Sequence, residues 1–315
     1  MTDTLTIAPA PLNRELLDRA VASVLEYTDV REQTRLDYQR RIPHFIDYLL
    51  VTGFSVNILR QYKNHLVNEP CLSASTKNAR FYSAKVLLRE LAHLGAIPDV
   101  TQNIRGFKRG RQHKRDGLNS SEIQLIAEHL RTLPDTADTY RLRAMVALLA
   151  LQGLRQCEIT RLDVSDLDLL QGTTLVRGKG QDDSQLVHLH PDATAALAAH
   201  LSASQIADGP VFVSCSNHGR HQRLTTRTVR GIVKSLFREL GIPEGKTTHG
   251  FRHFYITRQI ELLDGDLLEV AKYSRHRNLT MLMVYNDRLS HEATLPRYIE
   301  GFSGLLTVTP DKTES

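Results

Sequence analysis

The chain has 315 residues, 41% hydrophobic and 24% charged, and its 40 Lys+Arg against 35 Asp+Glu leave a net charge of +5. These values exclude a disordered chain and leave room for two domains, each with its own core. The start MTDTLTIAPAP lacks the parts of a secretory signal, the longest apolar run, Ala144–Leu151, cannot span a bilayer, and three scattered cysteines fit a reducing cytoplasm rather than a disulfide framework.

Residues 12–104 read as a helical domain. Apolar residues recur at helical spacing from Leu12 to Tyr27 and again through Thr34, Tyr38, Phe45 and Leu49, ending at Gly53. Pro43 is expected to kink that second helix or divide it. Asn57–Val67 and Ser75–Leu94 complete four short helices, with Gly95 as the last stop.

The composition then changes. Residues 105–117 form a basic linker that carries Arg105, Lys108, Arg109, Arg111, Lys114 and Arg115 with no acid before Asp116. A charge run of this kind is often only a solvated linker. Here it joins two domains with basic helices, which favours a strap along a phosphate backbone.

The second domain is placed at 118–303. Asn119 or Ser120 caps a helix, and Ala137–Leu151 is a strongly apolar one ending at Gly153. Thr174–Arg177 and Gln185–His190 read as strands, with Gly178-Lys179-Gly180 at or beside the hairpin tip. Val211–Val213 reads as a third strand. Helices are expected at about 225–240, 249–263, 266–274 and 278–286. Residues 304–315 form a polar tail. The fold class is therefore mainly α with a small antiparallel β-sheet: an all-α domain followed by a mixed α+β domain.

Chemistry-bearing residues concentrate in the second domain. Arg155 follows the break at Gly153-Leu154. His249 and Arg252 are i and i+3 on one helix, so they share a face. His276 and Tyr285 follow near the end of the chain. Arginine forks pair phosphate oxygens at any working pH, and a phenol can act as nucleophile. Singly, each has a bland reading: an exposed hairpin lysine, a surface histidine, a packing tyrosine. The order Arg–Lys–His-x-x-Arg–His–Tyr does not. Metal readings are weaker: HGFRH lacks the glutamate of HExxH, and Asp182 and Asp183 adjoin in sequence and point apart.

That order resembles the tyrosine recombinases, the phage-integrase family. GLRQCEITRLDVSDLDL is similar to the family's first-arginine box, with Arg155 as the arginine and Glu158 as the acid that follows. VRGKG matches its hairpin lysine at Lys179, HGFRH its His-x-x-Arg box, and RHRNLTMLMVYND its final box with His276 and Tyr285. Thr34, Tyr38, Phe45 and Leu49 fit the pattern of the family's core-binding domain. Two departures stand out. Ser274-Arg275 replaces the Leu-Gly usual before the penultimate histidine, and Pro43 is unusual in a core-binding helix. For Arg275 and Arg277, added phosphate contacts and solvent exposure are both open.

The resemblance implies a core-binding domain at 12–104 and a catalytic domain at 118–303. It implies a site-specific recombinase that cleaves and exchanges DNA strands through a 3′-phosphotyrosyl intermediate, without metal, cofactor or ATP. Tyr285 is the implied nucleophile, Arg155 and Arg252 the phosphate braces, His249 the proton acceptor, Lys179 the general acid and His276 a hydrogen-bond donor. Glu158 is either a brace behind the arginine or an ordinary helix acid. The implied partners are double-stranded DNA and a homotetramer on paired sites. Residues 290–303 are the candidate segment for docking on a neighbouring protomer, and a monomer or dimer off DNA is left open. The expected location is the cytoplasm, at the nucleoid, with no membrane partner. Lys77, Arg80 and Lys85 on the fourth helix, the linker's Arg105, Lys108, Arg109 and Arg111, and Arg227 and Arg230 on a later helix are the DNA-binding candidates. Arg223 and Lys234 extend that last series. Two other readings remain: a type IB-like topoisomerase acting on one duplex, and a non-catalytic architectural or regulatory DNA-binding protein.

Overall fold

In the computed structural model the described residues are 13–108, 117–178, 184–214, 221–276, 278–280, 282–283 and 300. The chain divides into two compact units, 1–111 and 112–315.

The first unit holds four helices: α1 (Arg14–Tyr27), α2 (Glu32–Thr52), α3 (Ile58–Val67) and α4 (Ala74–His93). Asn13 caps α1 and Ser73 caps α4 through side chains that accept backbone N–H groups otherwise left unpaired. Gly95 follows α4 in the left-handed region, φ 72°. Leu25, Ile46, Leu59, Tyr62, Phe81 and Leu88 lie in one core.

Pro43 does not divide the second helix, because α2 runs through it. A mid-helix proline costs about 3 kcal/mol. Ile42, Phe45 and Ile46, each at most 1% exposed, surround it. Burying each is worth about 1.5–3 kcal/mol, so the packed face outweighs the lost backbone bond.

The second unit is organised around α6 (Ala137–Leu151), whose Ala144, Met145, Leu148 and Leu149 are buried on several sides. Before it lies α5 (Ser120–Thr132), which opens with a reciprocal capping box between Asn119 and Glu122. The one-turn helix α7 (Gln156–Ile159) follows α6. Strands β1 (Leu167–Asp168), β2 (Thr173–Arg177) and β3 (Ser184–His188) then form an antiparallel sheet in the order β1-β2-β3. Helices α8 (Pro191–Ser204), α9 (Thr226–Glu239), α10 (His249–Leu262) and α11 (Leu267–Ser274) complete the unit. The fold class is the expected one, mainly helical with a small antiparallel sheet.

Three details differ from the sequence reading. Strand β3 stops at His188, because His190 caps α8 and Pro191 occupies its first turn, a position where proline fits. Residues 191–204, unassigned by periodicity, are helical. Residues 211–213 are not a strand. The Val211 N–H bonds Leu162 O while Phe212 O accepts from the Leu224 N–H, so the segment bonds two different neighbours, and only isolated bridges form. Val211 and Phe212 are apolar because they are core residues, 0% and 1% exposed.

No helix among the described residues is long and apolar enough to cross a membrane. Of the helix expected at 278–286, Thr280, Leu282 and Met283 are helical. Most of the rest lies outside the described residues, as do Leu12, linker residues 109–116, the 304–315 tail and all of 290–303 except Glu300.

Candidate active site

The site begins where α6 stops. Gly153 has φ 57°, and a Cβ there would sit 2.4 Å from Cδ1 of Tyr255 on α10. Only glycine meets both demands, the left-handed backbone and the close approach. The turn puts Leu154 into the core, 1% exposed, and leaves Arg155 at the start of α7.

Glu158 holds Arg155 from two directions. Its Oε2 accepts the Arg155 backbone N–H at 2.9 Å, and its Oε1 accepts from Arg155 Nη1 at 2.6 Å. The Glu158 side chain is 0% exposed, so it is not an ordinary helix acid. Burial pushes its carboxyl up. Arg275 and the Arg155 amide and guanidinium outweigh that and hold it below the usual carboxylate range.

Arg252 ties three segments together. It lies on the first turn of α10 and is 1% exposed. Its Nη1 donates to Gly153 O at 2.6 Å, and its Nη2 donates to Ser274 O at the end of α11. The same Nη2 lies 3.5 Å from His276 Nε2. Helix α11 ends through Arg275 in the left-handed conformation, φ 56° and ψ 44°, and the His276 N–H closes back on Ala271 O. Ser274 Oγ and His276 Nδ1 are 2.7 Å apart.

Arg155, His249, Arg252 and His276 are thereby gathered, with Glu158 behind Arg155. Burial, together with Arg252, Arg155, Arg275 and His249, pushes His276 down to about 4. His249 opens α10, is exposed, and packs edge-on to His253 with ring centroids 5.2 Å apart. Among the described residues the cluster carries three guanidinium groups, of Arg155, Arg252 and Arg275, against the one carboxylate of Glu158, so it attracts an anion. Lys179 and Tyr285 lie outside the described residues. Lys179 falls in the connection between β2 and β3, whose register runs from Thr173 opposite His188 to Arg177 opposite Ser184.

Reading motifs one residue at a time missed Ser274 and Arg275 as parts of this cluster. Of the two readings open for Arg275, solvent exposure does not hold. Its side chain is 7% exposed and its Nη2 lies 3.2 Å from Glu158 Oε2. The departure from Leu-Gly was the available signal.

The basic candidates outside the cluster divide into two sets. Lys77 Nζ donates to Val67 O and Lys85 Nζ to Ile104 O, both at 2.9 Å, and Arg80 is half-buried. Arg105 and Lys108 are exposed. On α9, Arg227, Arg230 and Lys234 are exposed while Val229, Val233, Leu236 and Phe237 are buried. Arg223 precedes α9 and pairs with Asp163. Arg109 and Arg111 lie outside the described residues.

The sequence profile of the phage integrase family matches residues 117–292. The chain belongs to this family. As a phage integrase family member it is a tyrosine recombinase, an enzyme of DNA breakage and rejoining, and its function is site-specific recombination. A tyrosine recombinase of Synechocystis sp. is 26% identical over 244 residues, covering 76% of this chain and 77% of the relative. The fold is shared with the XerH site-specific recombinase in its post-cleavage complex with a palindromic difH substrate. That match has a TM-score of 0.69 and 17% identity, and covers 92% of this chain and 99% of XerH. A lambda integrase tetramer bound to a Holliday junction matches with a TM-score of 0.64 and 17% identity, over 86% of this chain and 76% of the integrase.

Pushed down to about 4, His276 is neutral at pH 7 and offers a hydrogen-bond donor and an acceptor. Indole also offers one N–H. The variant His276→Trp is therefore expected to keep more cleavage activity than His276→Ala, with no new titration step between about pH 5 and 8. Single-turnover rates across that range check this, and equal losses in the two variants would contradict it.

Proposed function

We propose that the enzyme cleaves one DNA strand by attack of the Tyr285 phenol oxygen on a backbone phosphorus. A bond forms between that oxygen and phosphorus, and the bond to the 5′-oxygen breaks. The product is a 3′-phosphotyrosyl link and a 5′-hydroxyl. His249 accepts the phenol proton, and Lys179 donates one to the leaving 5′-oxygen. Arg155 and Arg252 brace the non-bridging oxygens, and His276 donates a hydrogen bond to one of them. A 5′-hydroxyl from a partner strand then reverses the chemistry, so one diester replaces another and no ATP is consumed.

The observation that carries this reading is the gathering of Arg155, His249 and Arg252 around His276, in a cluster with more cationic than acidic groups. The first unit, the linker cations and the exposed face of α9 bind the duplex phosphates in this account, giving affinity without sequence choice. We assign the working form to a homotetramer on two paired sites, on the analogy of the lambda integrase assembly. A DNA substrate places the enzyme at the nucleoid, in the cytoplasm. The single-duplex topoisomerase and the non-catalytic architectural protein are not favoured.

Two assays test the proposal. With nicked duplex from the flanks of the gene, in EDTA and without ATP, the protein is expected to give an SDS-resistant protein–DNA complex. No complex under any metal condition would defeat the reading. On a plasmid with two sites, strand exchange is expected. Relaxation without exchange would return the topoisomerase.

A further inference from the structure

Arg275 occupies an unusual place. Its backbone is left-handed, φ 56°, a conformation that costs any residue except glycine about 1–2 kcal/mol. Its long side chain is nonetheless folded inward, 7% exposed, and reaches the same carboxylate that holds Arg155. Its Nη1 also lies 3.4 Å from Tyr273 O and 3.5 Å from Gln152 O, beside the turn that precedes Arg155. A charged side chain is not buried in a strained backbone position without a partner worth the cost, and Glu158 is that partner.

Charge arithmetic makes the arrangement consequential. Arg155 and Glu158 alone would form a neutral pair, which attracts phosphate weakly. Two guanidinium groups on one carboxylate leave one net positive charge, and they fix both carboxylate oxygens. The arrangement also bolts the start of α7 to the end of α11, the segment that carries His276.

We propose that Arg275 is a positioning residue: by sharing the buried Glu158 carboxylate, it leaves Arg155 both fixed in direction and cationic toward the scissile phosphate. The idea rests on the phosphate-bracing role given above to Arg155. The charged groups facing Glu158 among the described residues are Arg155, from the start of its own helix, and Arg275, from the end of α11. Without Arg275, burial of Glu158 is opposed by one arginine instead of two, and its carboxyl moves up.

The test uses the full chain with Arg275→Gly and Arg275→Lys. Glycine suits the left-handed position, so the first variant removes the side chain while relaxing the backbone. Single-turnover adduct formation on nicked duplex is expected to slow about 10²-fold in Arg275→Gly, the loss typical of a misplaced catalytic group. The acid limb of its rate profile should move to higher pH, and Arg275→Lys should restore part of both. In a Glu158→Gln background, removing Arg275 should cost far less. Wild-type rate and acid limb in Arg275→Gly, or an equal loss in both backgrounds, would overturn the proposal.

A readout free of catalysis separates this from the function itself. A carboxylate held low stabilises the fold above its unfolded pKa and loses that contribution as pH falls through its folded one. The melting gap between wild type and Arg275→Gly should therefore be wide near pH 7 and close as pH falls through and below the usual carboxylate range. A gap independent of pH would overturn the proposal. Wild-type protein that forms no adduct, yet shows the closing gap, would sink the strand-cleavage reading and leave the Arg275–Glu158 link standing.

Discussion

Replacing Tyr285 by phenylalanine is expected to abolish the covalent complex with nicked DNA and leave equilibrium DNA binding unchanged. The substitution removes one oxygen, the atom that attacks phosphorus in the proposed mechanism. Losing a nucleophile typically costs on the order of 10⁶-fold. A phenol has a pKa near ~10, so ionising it at pH 7 costs about 4 kcal/mol. In the proposed mechanism the Arg155 and Arg252 guanidinium groups offset that cost by favouring the charged form of a neighbouring acid. Water attack in the variant would yield a hydrolysed strand and no adduct, so denaturing gels separate the outcomes. An SDS-resistant adduct from Tyr285→Phe would move the nucleophile to another residue.

Arg252→Ala is expected to damage catalysis and folding together. Loss of a phosphate donor typically costs about 10²–10³ in rate. The side chain also satisfies two carbonyls, Gly153 O and Ser274 O, in a place where it is 1% exposed. Each orphaned buried acceptor costs about 1–3 kcal/mol. For a unit of this size, 1 kcal/mol shifts the melting temperature by about 2–4 °C, so a fall of several degrees is expected. Arg252→Lys keeps the charge but not the fork that reaches two segments, so it should recover only part of either loss. Thermal unfolding and single-turnover cleavage read the two effects separately. Wild-type cleavage by Arg252→Ala would remove this arginine from the phosphate.

Much of this was legible in the sequence. Capping signals and apolar spacing placed α1, α4, α5 and α6 because those helices carry one clear buried stripe or an unbroken apolar run. The second unit's Ala-rich α8 was invisible to periodicity, since alanine suits buried and exposed positions alike, although its proline start and helix propensity offered a cue. Strand β1, two residues long, is defined only by the pairing of Leu167 with Thr174 and Asp168 with Thr173. No local pattern specifies so short an element. Of the two outcomes expected at Pro43, a kink or a division, the division does not occur, because the backbone penalty of proline is local and the core that overrides it is not.

At the site, motif order placed Arg155, His249, Arg252 and His276 in one group, and the fold gathers them. It could not show that Arg252 spends two donors on backbone carbonyls, or that Glu158 is shared. Those facts depend on which turn meets which helix. The pairing of Arg275 with Glu158, distant in sequence and 3.2 Å apart, is of the same kind.

The most direct test of the central claim is to isolate the protein–DNA complex, digest both components, and identify the joined peptide and nucleotide by mass spectrometry. The account predicts a single cross-linked peptide in which Tyr285 carries a 3′-phosphoryl nucleotide, with a free 5′-hydroxyl on the released strand. Attachment at any other side chain, or through a 5′-phosphate, would contradict it.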